Sequence, residues 1–284
     1  MVAILLVALA VIGLAFSAQL IRTAQARGGL GVNLEGVALG AVANFFDTLG
    51  IGSFAPSTAW IKFRKLVPDS FIPAILNTGH ALPTVAQALV FITIVQVDTT
   101  LLFGCIIAAV AGALIGAPIV QRMPVKRLQL FVGVALLIAA ALFAAKNLNL
   151  LPAGGAALAL PLSLMLGAFV AHFIMGALMT AGIGLYAPSL ALLSLMGLDP
   201  KAVFPIMMGA CAFLMPSSGF TFIKSDRIDY RVVIGMALGG IPAVLLAAFV
   251  VKDLPLETLR WGVLVVVLYA AAVMLRSAFR GAGA

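Results

Sequence analysis

Several stretches of this chain run for about 20 residues without an aspartate, glutamate, lysine or arginine, among them residues 2–21, 71–97, 99–121, 128–145, 202–223, 232–251 and 261–275. A helix rises about 1.5 Å per residue, so segments of this length suit a hydrocarbon core of about 30 Å. Only 9% of the 284 residues are charged and 64% are hydrophobic, whereas soluble domains carry roughly 25% charged residues. That few charges cannot cover a water-facing surface. The chain reads as an all-α polytopic membrane protein, and a lipid bilayer is its first partner.

No basic residue precedes the first apolar run, so residues 2–21 read as a retained helix rather than a cleaved signal peptide. The net charge of +8 sits in short loops between the apolar stretches. Membrane orientation explains it better than nucleic acid, and no nucleic-acid partner is expected. Cys105 and Cys211 lie inside apolar stretches without CxxC spacing and read as small core residues. No cofactor motif and no metal-ligand spacing is present, so neither a cofactor nor a metal is expected.

Residues 48–56 read TLGIGSFAP and residues 180–188 read TAGIGLYAP, identical at six of nine positions and 132 residues apart. At the same spacing Pro68 meets Pro200 and Pro73 meets Pro205. After a one-residue slip Asp98 meets Asp229, Pro124 meets Pro255 and Leu128 meets Leu259. The similarity covers 36–145 and 168–276, joined by the Pro/Gly-rich LPAGGAALALP (151–161). Internal duplication of this length is a common transporter architecture. The division that follows is an N-terminal transmembrane helix with a basic loop (1–27), a first transmembrane repeat (28–146) and a second (147–284).

Loop charges give the orientation. Loop 62–69 carries Lys62, Arg64 and Lys65, loop 96–99 no base, loop 121–127 Arg122, Lys126 and Arg127, and the join only Lys146. In the second copy, loop 197–201 has Lys201 alone, loop 224–231 has Lys224, Arg227 and Arg231, loop 252–260 has two bases, and the tail has Arg276 and Arg280. Basic loops face the cytoplasm. Equivalent loops therefore fall on opposite sides, loop 252–260 being the weakest match, and the repeats are expected to be inverted. Residues 28–61 are too few for two comfortable crossings at 1.5 Å per residue. A re-entrant or broken helical hairpin turning near Gly50-Ile51-Gly52, with a twin near Gly182-Ile183-Gly184, meets this limit; a steeply tilted pair of short crossings meets it too. Each repeat is then a hairpin plus three transmembrane helices, preceded by the one extra N-terminal helix.

Non-helical backbone at membrane depth survives only where protein or a water-filled cavity covers it. Glycine allows close approach of a ligand to the main chain, and Pro56 and Pro188 suit the first turn of a new helix. The new N-termini present free N–H groups and a positive dipole end, which together favour an anion. Candidate anion-binding residues are Thr48, Gly50, Gly52, Ser53 and Ser57 in the first copy, and Thr180, Gly182, Gly184 and Ser189 in the second. Thr58 is a further hydroxyl near the first break. These hydroxyls serve equally well as caps or as donors to the carbonyl four residues back. Asn77, Thr78 and His80 add amide, hydroxyl and imidazole within one helical turn, with Gln87 further along, as a substrate-facing strip or as interhelical bonding. His172 reads as a satisfied core histidine and Glu35 as interfacial. Asp47 is the one acid deep in an apolar segment and has no acidic twin, since Met179 holds the equivalent position. It reads as a proton-coupling residue or as a helix cap.

FFDTLGIGSFAPSTA (45–59), IPAILNTGHALPTVAQALVFI (72–92) and FPIMMGACAFLMPSSGF (204–220) resemble the TauE/SafE (sulfite exporter) family of membrane transporters. The family's glycine-rich segments followed by proline correspond to Gly50, Gly52, Pro56 and Gly182, Gly184, Pro188. Here GIG stands where many members have a longer glycine run. The resemblance implies export of sulfite or a small organosulfonate across a cell membrane, the bacterial inner membrane in this family. The expected function is thus a secondary transporter and not an enzyme. An anion channel of the same architecture is the second reading, and an intramembrane enzyme using Asp47 and His80 the third. A homodimer is left open.

Overall fold

A computed structural model of the protein describes residues 2–150 and 155–249, together with residues 261, 264, 265, 268, 269, 271, 272, 274–276, 278 and 279. Among them all regular structure is helical, apart from one isolated bridge between Ala157 and Leu198. The helices are α1 (Val2–Ala26), α2 (Leu34–Thr48), α3 (Phe54–Arg64), α4 (Ile72–Gly79), α5 (Ala81–Ile94) and α6 (Thr99–Arg122). They continue with α7 (Val125–Asn147), α8 (Leu162–Met179), α9 (Tyr186–Leu195), α10 (Pro200–Phe222) and α11 (Tyr230–Phe249). The described residues from Trp261 to Phe279 are helical as well.

Seven helical runs among the described residues are long and apolar enough to cross a membrane: α1, Asp69–Ile94, α6, Val125–Leu142, α8, α10 and α11. The chain is a multi-pass membrane protein. Six of these runs coincide with stretches expected from the sequence. The seventh expected stretch, 261–275, lies only partly within the described residues. α8 was expected as one arm of a hairpin, and its 18 residues reach about 27 Å; the matching α2 has 15.

Residues 71–94 are not one helix but two, meeting at His80. Proline at 83 has no N–H to offer the Gly79 carbonyl, and a helix with that bond missing bends. The order of elements in 34–122 recurs in 162–249, with the single α10 in place of the α4–α5 pair, and so does the way helices are started. Asp98 accepts the Leu101 N–H at 2.8 Å to begin α6. Its counterpart Asp229 accepts from Arg231 and Val232 at 2.9 and 3.2 Å to begin α11. Both are side-chain N-caps.

Packing exchanges partners between the halves. α11 lies along α2, and α6 lies along α8. Since α11 is the counterpart of α6, and α8 of α2, this is one contact made twice. Both contacts bring backbones together. A Cβ at Gly36 or Gly40 would strike the Val232 or Met236 carbonyl, and one at Gly235 or Gly239 the carbonyl of Asn33 or Val37. In the other pair, Gly112 and Gly176 meet the Phe173 and Ala109 carbonyls. In lipid, where apolar burial between helices gains little, such close approach supplies the attraction. The most enclosed spans are α10 and the α4–α5 pair, and α1 and α8 stand at the periphery.

One end of the molecule gathers basic loops. Arg27 donates to the Lys224 and Ser225 carbonyls at 2.8 and 2.9 Å, and Arg227 to the Met123 carbonyl at 3.2 Å. Lys62 holds both oxygens of Asp69 at 2.7 Å, and Gln129 of α7 donates to the same carboxylate. Trp60 and Arg64 donate to Glu35 at 3.1 and 2.7 Å, so α3 returns to the start of α2. The opposite end lies one length of α6 away. There Asp98 bonds to Leu158, and residues 155–157 bond to Gly197, Leu198 and Asp199. The end of α9 thus returns to the approach of α8.

Candidate anion site at the helix breaks

The first break runs from the end of α2 at Thr48 to the start of α3 at Phe54, the second from Met179 to Tyr186. Gly50, Gly52 and Gly182 have φ of 85°, 90° and 99°, a backbone region that costs other residues about 1–2 kcal/mol. Neither Ser53 nor Leu185 caps the following helix with its side chain. Pro56 and Pro188 take the third position of α3 and α9, where no carbonyl one turn back waits for an N–H. Neither new helix is capped by the side chain of its own N-cap residue, the Ser53 amide lies beside the Asp47 carboxyl, and each start carries a partial positive charge of about half a unit.

The two breaks face each other. A Cβ at Gly52 would lie 3.6 Å from the Tyr186 Cβ, and one at Gly184 would lie 3.5 Å from the Phe54 Cβ. Gly184 is the counterpart of Gly52 and Tyr186 of Phe54, so the contact is reciprocal. A small, mainly apolar cleft lies between them, walled by Ile51, Gly52, Phe54, Gly182, Ile183, Gly184 and Tyr186 with Leu136 of α7. Gly50 stands apart from this lining, against the Phe204 ring.

None of the polar candidates is among the residues lining the cleft; they are buried groups bonded within the protein. Thr48, Thr58 and Thr78 donate to the carbonyls of Asn44, Phe54 and Ala74, four residues back, and Thr180 to Ala177. Ser53, fully enclosed, has its hydroxyl and amide beside the Asp47 carboxyl. Asn77, His80, Thr84 and Gln87 form one stripe along α4–α5, and three of them bond to the hairpins. Asn77 donates to Pro73 on its own helix and reaches the Met179 carbonyl at the end of α8 at 3.2 Å. His80 bonds to Ser57 at 2.9 Å and to Asn44 at 3.0 Å. Asn44 Nδ2 already donates to Gly40, so its oxygen accepts from His80 Nδ1, and Nε2 accepts the Ser57 hydroxyl. Gln87 Nε2 donates to Asp47 Oδ2 at 2.8 Å and to Thr48 Oγ1 at 2.9 Å, and its oxygen accepts from Tyr186 at 2.7 Å.

Ser189, the counterpart of Ser57, also bonds to an imidazole, that of His172, at 3.1 Å, while His172 Nδ1 donates to Ala168 at 2.8 Å. His172 is a satisfied core histidine, as expected. Asp47 and His80 share no hydrogen-bond partner. Among the described residues no group of three or more His, Cys, Asp or Glu gathers closely enough to hold a metal ion.

Phe54 and Tyr186 were not among the candidates, although they carry the reciprocal contact. Their signal was in the repeated nonapeptide, where an aromatic ring precedes Ala-Pro in both copies.

No curated protein and no solved structure matches the chain significantly. A family model does match, over residues 151–284, a span that contains the second nonapeptide and its break. The model is that of Sulfite exporter TauE/SafE, a family of transporters, and its match to residues 151–284 bears out the resemblance read from the sequence.

Proposed function

We propose that the protein is an inverted-repeat secondary transporter that exports a small anion, sulfite or an organosulfonate, across the bacterial inner membrane by alternating access. The anion binds between the two breaks, and Asp47 takes up a coupling proton. The observation that carries this reading is the reciprocal apposition of Gly52 to Tyr186 and of Gly184 to Phe54. It brings to one cleft two helix starts that their own N-cap side chains leave uncapped, and paired dipole ends attract an anion with no lysine or arginine in the bilayer. The substrate's negative charge meets amides that are fixed before it arrives.

Inversion is supported by where equivalent loops lie. Lys62 and Asp69 sit at the basic end, whereas Gly197–Asp199, in the counterpart loop, sit at the other. Asp98 and Asp229, equivalent caps, are likewise at opposite ends. The basic end is the cytoplasmic one by charge. Re-entrance of the first hairpin is supported by the bonds from Trp60 and Arg64 back to Glu35. Residues 28–146 and 147–284 are then the two moving halves.

The test is uptake of labelled sulfite, organosulfonates and carboxylates by proteoliposomes, with and without a pH gradient. The expected result is saturable uptake of sulfite or a sulfonate and counterflow when unlabelled anion is preloaded. Uptake that rises linearly with concentration and shows no counterflow would mean a channel.

A further inference from the structure

The chain Asp47–Gln87–Tyr186 crosses from one repeat to the other. Asp47 ends α2 beside the first break, Gln87 is on α5, and Tyr186 is the first residue of α9 and a wall of the cleft. Asp47 and Gln87 are buried, at 2% and 0% exposure, and Tyr186 is only 4% exposed. These groups bond to one another. The titratable groups facing Asp47 are Tyr186 of α9, whose hydroxyl lies beside the carboxyl as well as bonding to Gln87, and Cys211 of α10. α5 presents Gln87, and His80 at its start is occupied with Ser57 and Asn44. α11, packed along α2, has its only titratable residues, Tyr230 and Arg231, at its far start.

The orientation of Gln87 is fixed by its neighbours. Its amide nitrogen faces two oxygens, Asp47 Oδ2 and Thr48 Oγ1, and its carbonyl faces the Tyr186 hydroxyl. Thr48 already donates its own proton to Asn44 and has only a lone pair to offer. An ionised Asp47 suits this arrangement, because a carboxylate only accepts. A proton on Oδ2 sets O–H against N–H, two donors face to face. The amide then turns over, presenting its oxygen to Asp47 and its NH₂ to Tyr186. The tyrosine hydroxyl changes from donor to acceptor as a result. Breaking this pattern in a buried site leaves polar groups unpaired, a large cost where no water can replace the partner.

We propose that Tyr186, acting directly and through Gln87, is the positioning residue that carries the charge state of Asp47 from the first repeat to the cleft wall of the second. It rests on the reading that Asp47 takes up a proton during transport. The second repeat has no acid of its own at this place, since Met179 stands opposite Asp47 in the repeat. The bridge thus gives both hairpins one shared protonation signal.

The experiment measures sulfite uptake by proteoliposomes over a pH series for wild type, Asp47→Asn, Tyr186→Phe and Gln87→Met. Size-exclusion profiles report folding. Wild type is expected to depend on pH and Asp47→Asn to lose that dependence. Tyr186→Phe keeps the ring and Asp47 but is expected to flatten the profile, with the best rate falling no more than about fivefold, the size of one neutral hydrogen bond. Gln87→Met should flatten it likewise, and supplies the answer if Tyr186→Phe does not fold. A purely structural bond would lower the rate equally at every pH and keep the profile's shape. A wild-type-shaped profile in Tyr186→Phe, beside a flat one in Asp47→Asn, overturns this proposal and leaves the proton-coupling reading standing. A profile unchanged by Asp47→Asn, or a flat one in wild type, overturns both.

Discussion

Gly52→Leu and Gly184→Leu are expected to insert normally and to carry no anion. The Cβ of either variant already reaches ordinary contact with the opposite break, 3.6 Å from Tyr186 and 3.5 Å from Phe54. Three further carbons have nowhere to go except into the cleft, where they cover the amides and hold the hairpins apart. Transport should fall to the level of empty liposomes, while membrane content and detergent extraction stay near wild type. Alanine separates two causes at these sites. Gly52 has a φ of 90°, so even Gly52→Ala is strained by about 1–2 kcal/mol. Gly184 is absent from the positive-φ glycines, and Gly184→Ala is expected to keep most of the transport. Full uptake by both leucine variants would refute the site.

The second large effect concerns folding. Gly40→Leu and Gly239→Leu place a side chain against the Met236 and Val37 carbonyls at the α2–α11 crossing. Overpacking costs about 1–3 kcal/mol where side chains can give way. Here the obstacles are backbone groups on two helices, so the loss belongs at or above the top of that range. The expected result is little folded protein after extraction and a markedly lower melting temperature for what remains. Gly167→Ala is the control, because its nearest neighbour is the flexible Met196 methyl at 3.7 Å. Near-wild-type melting of both leucine variants would show that the backbones do not approach as described.

Much of the architecture was legible in the residues. Charge-free stretches marked the spans, since a bilayer admits few other sequences, and the repeated GIG followed by proline marked both breaks. The repeated aspartates at 98 and 229 were visible as a pair, and each proved to start a helix. The exchange of α11 and α6 between repeats was not legible. It depends on glycines at 36, 40, 112, 176, 235 and 239, and in a chain with 28 glycines those do not stand out. The bend at His80 was hidden for a different reason. Residues 71–97 pass every test for a single span, and only the missing N–H of Pro83 interrupts it. The partners that Asn77, His80 and Gln87 find on other helices lie 23 to 102 residues away, and helical spacing shows that they share a face without showing what the face meets.

The most direct test of opposed breaks uses the 3.5 Å between the Phe54 Cβ and a Cβ at Gly184, close to the mean of about 3.8 Å in disulfides. Phe54→Cys and Gly184→Cys are combined in a protein whose Cys105 and Cys211 are alanine, with a protease site in the 151–161 join to reveal the link. Oxidation in native membranes should join the two fragments and stop transport, and a reductant should separate them and restore it. Fragments that never join, or joined fragments that still transport at the full rate, would contradict the account.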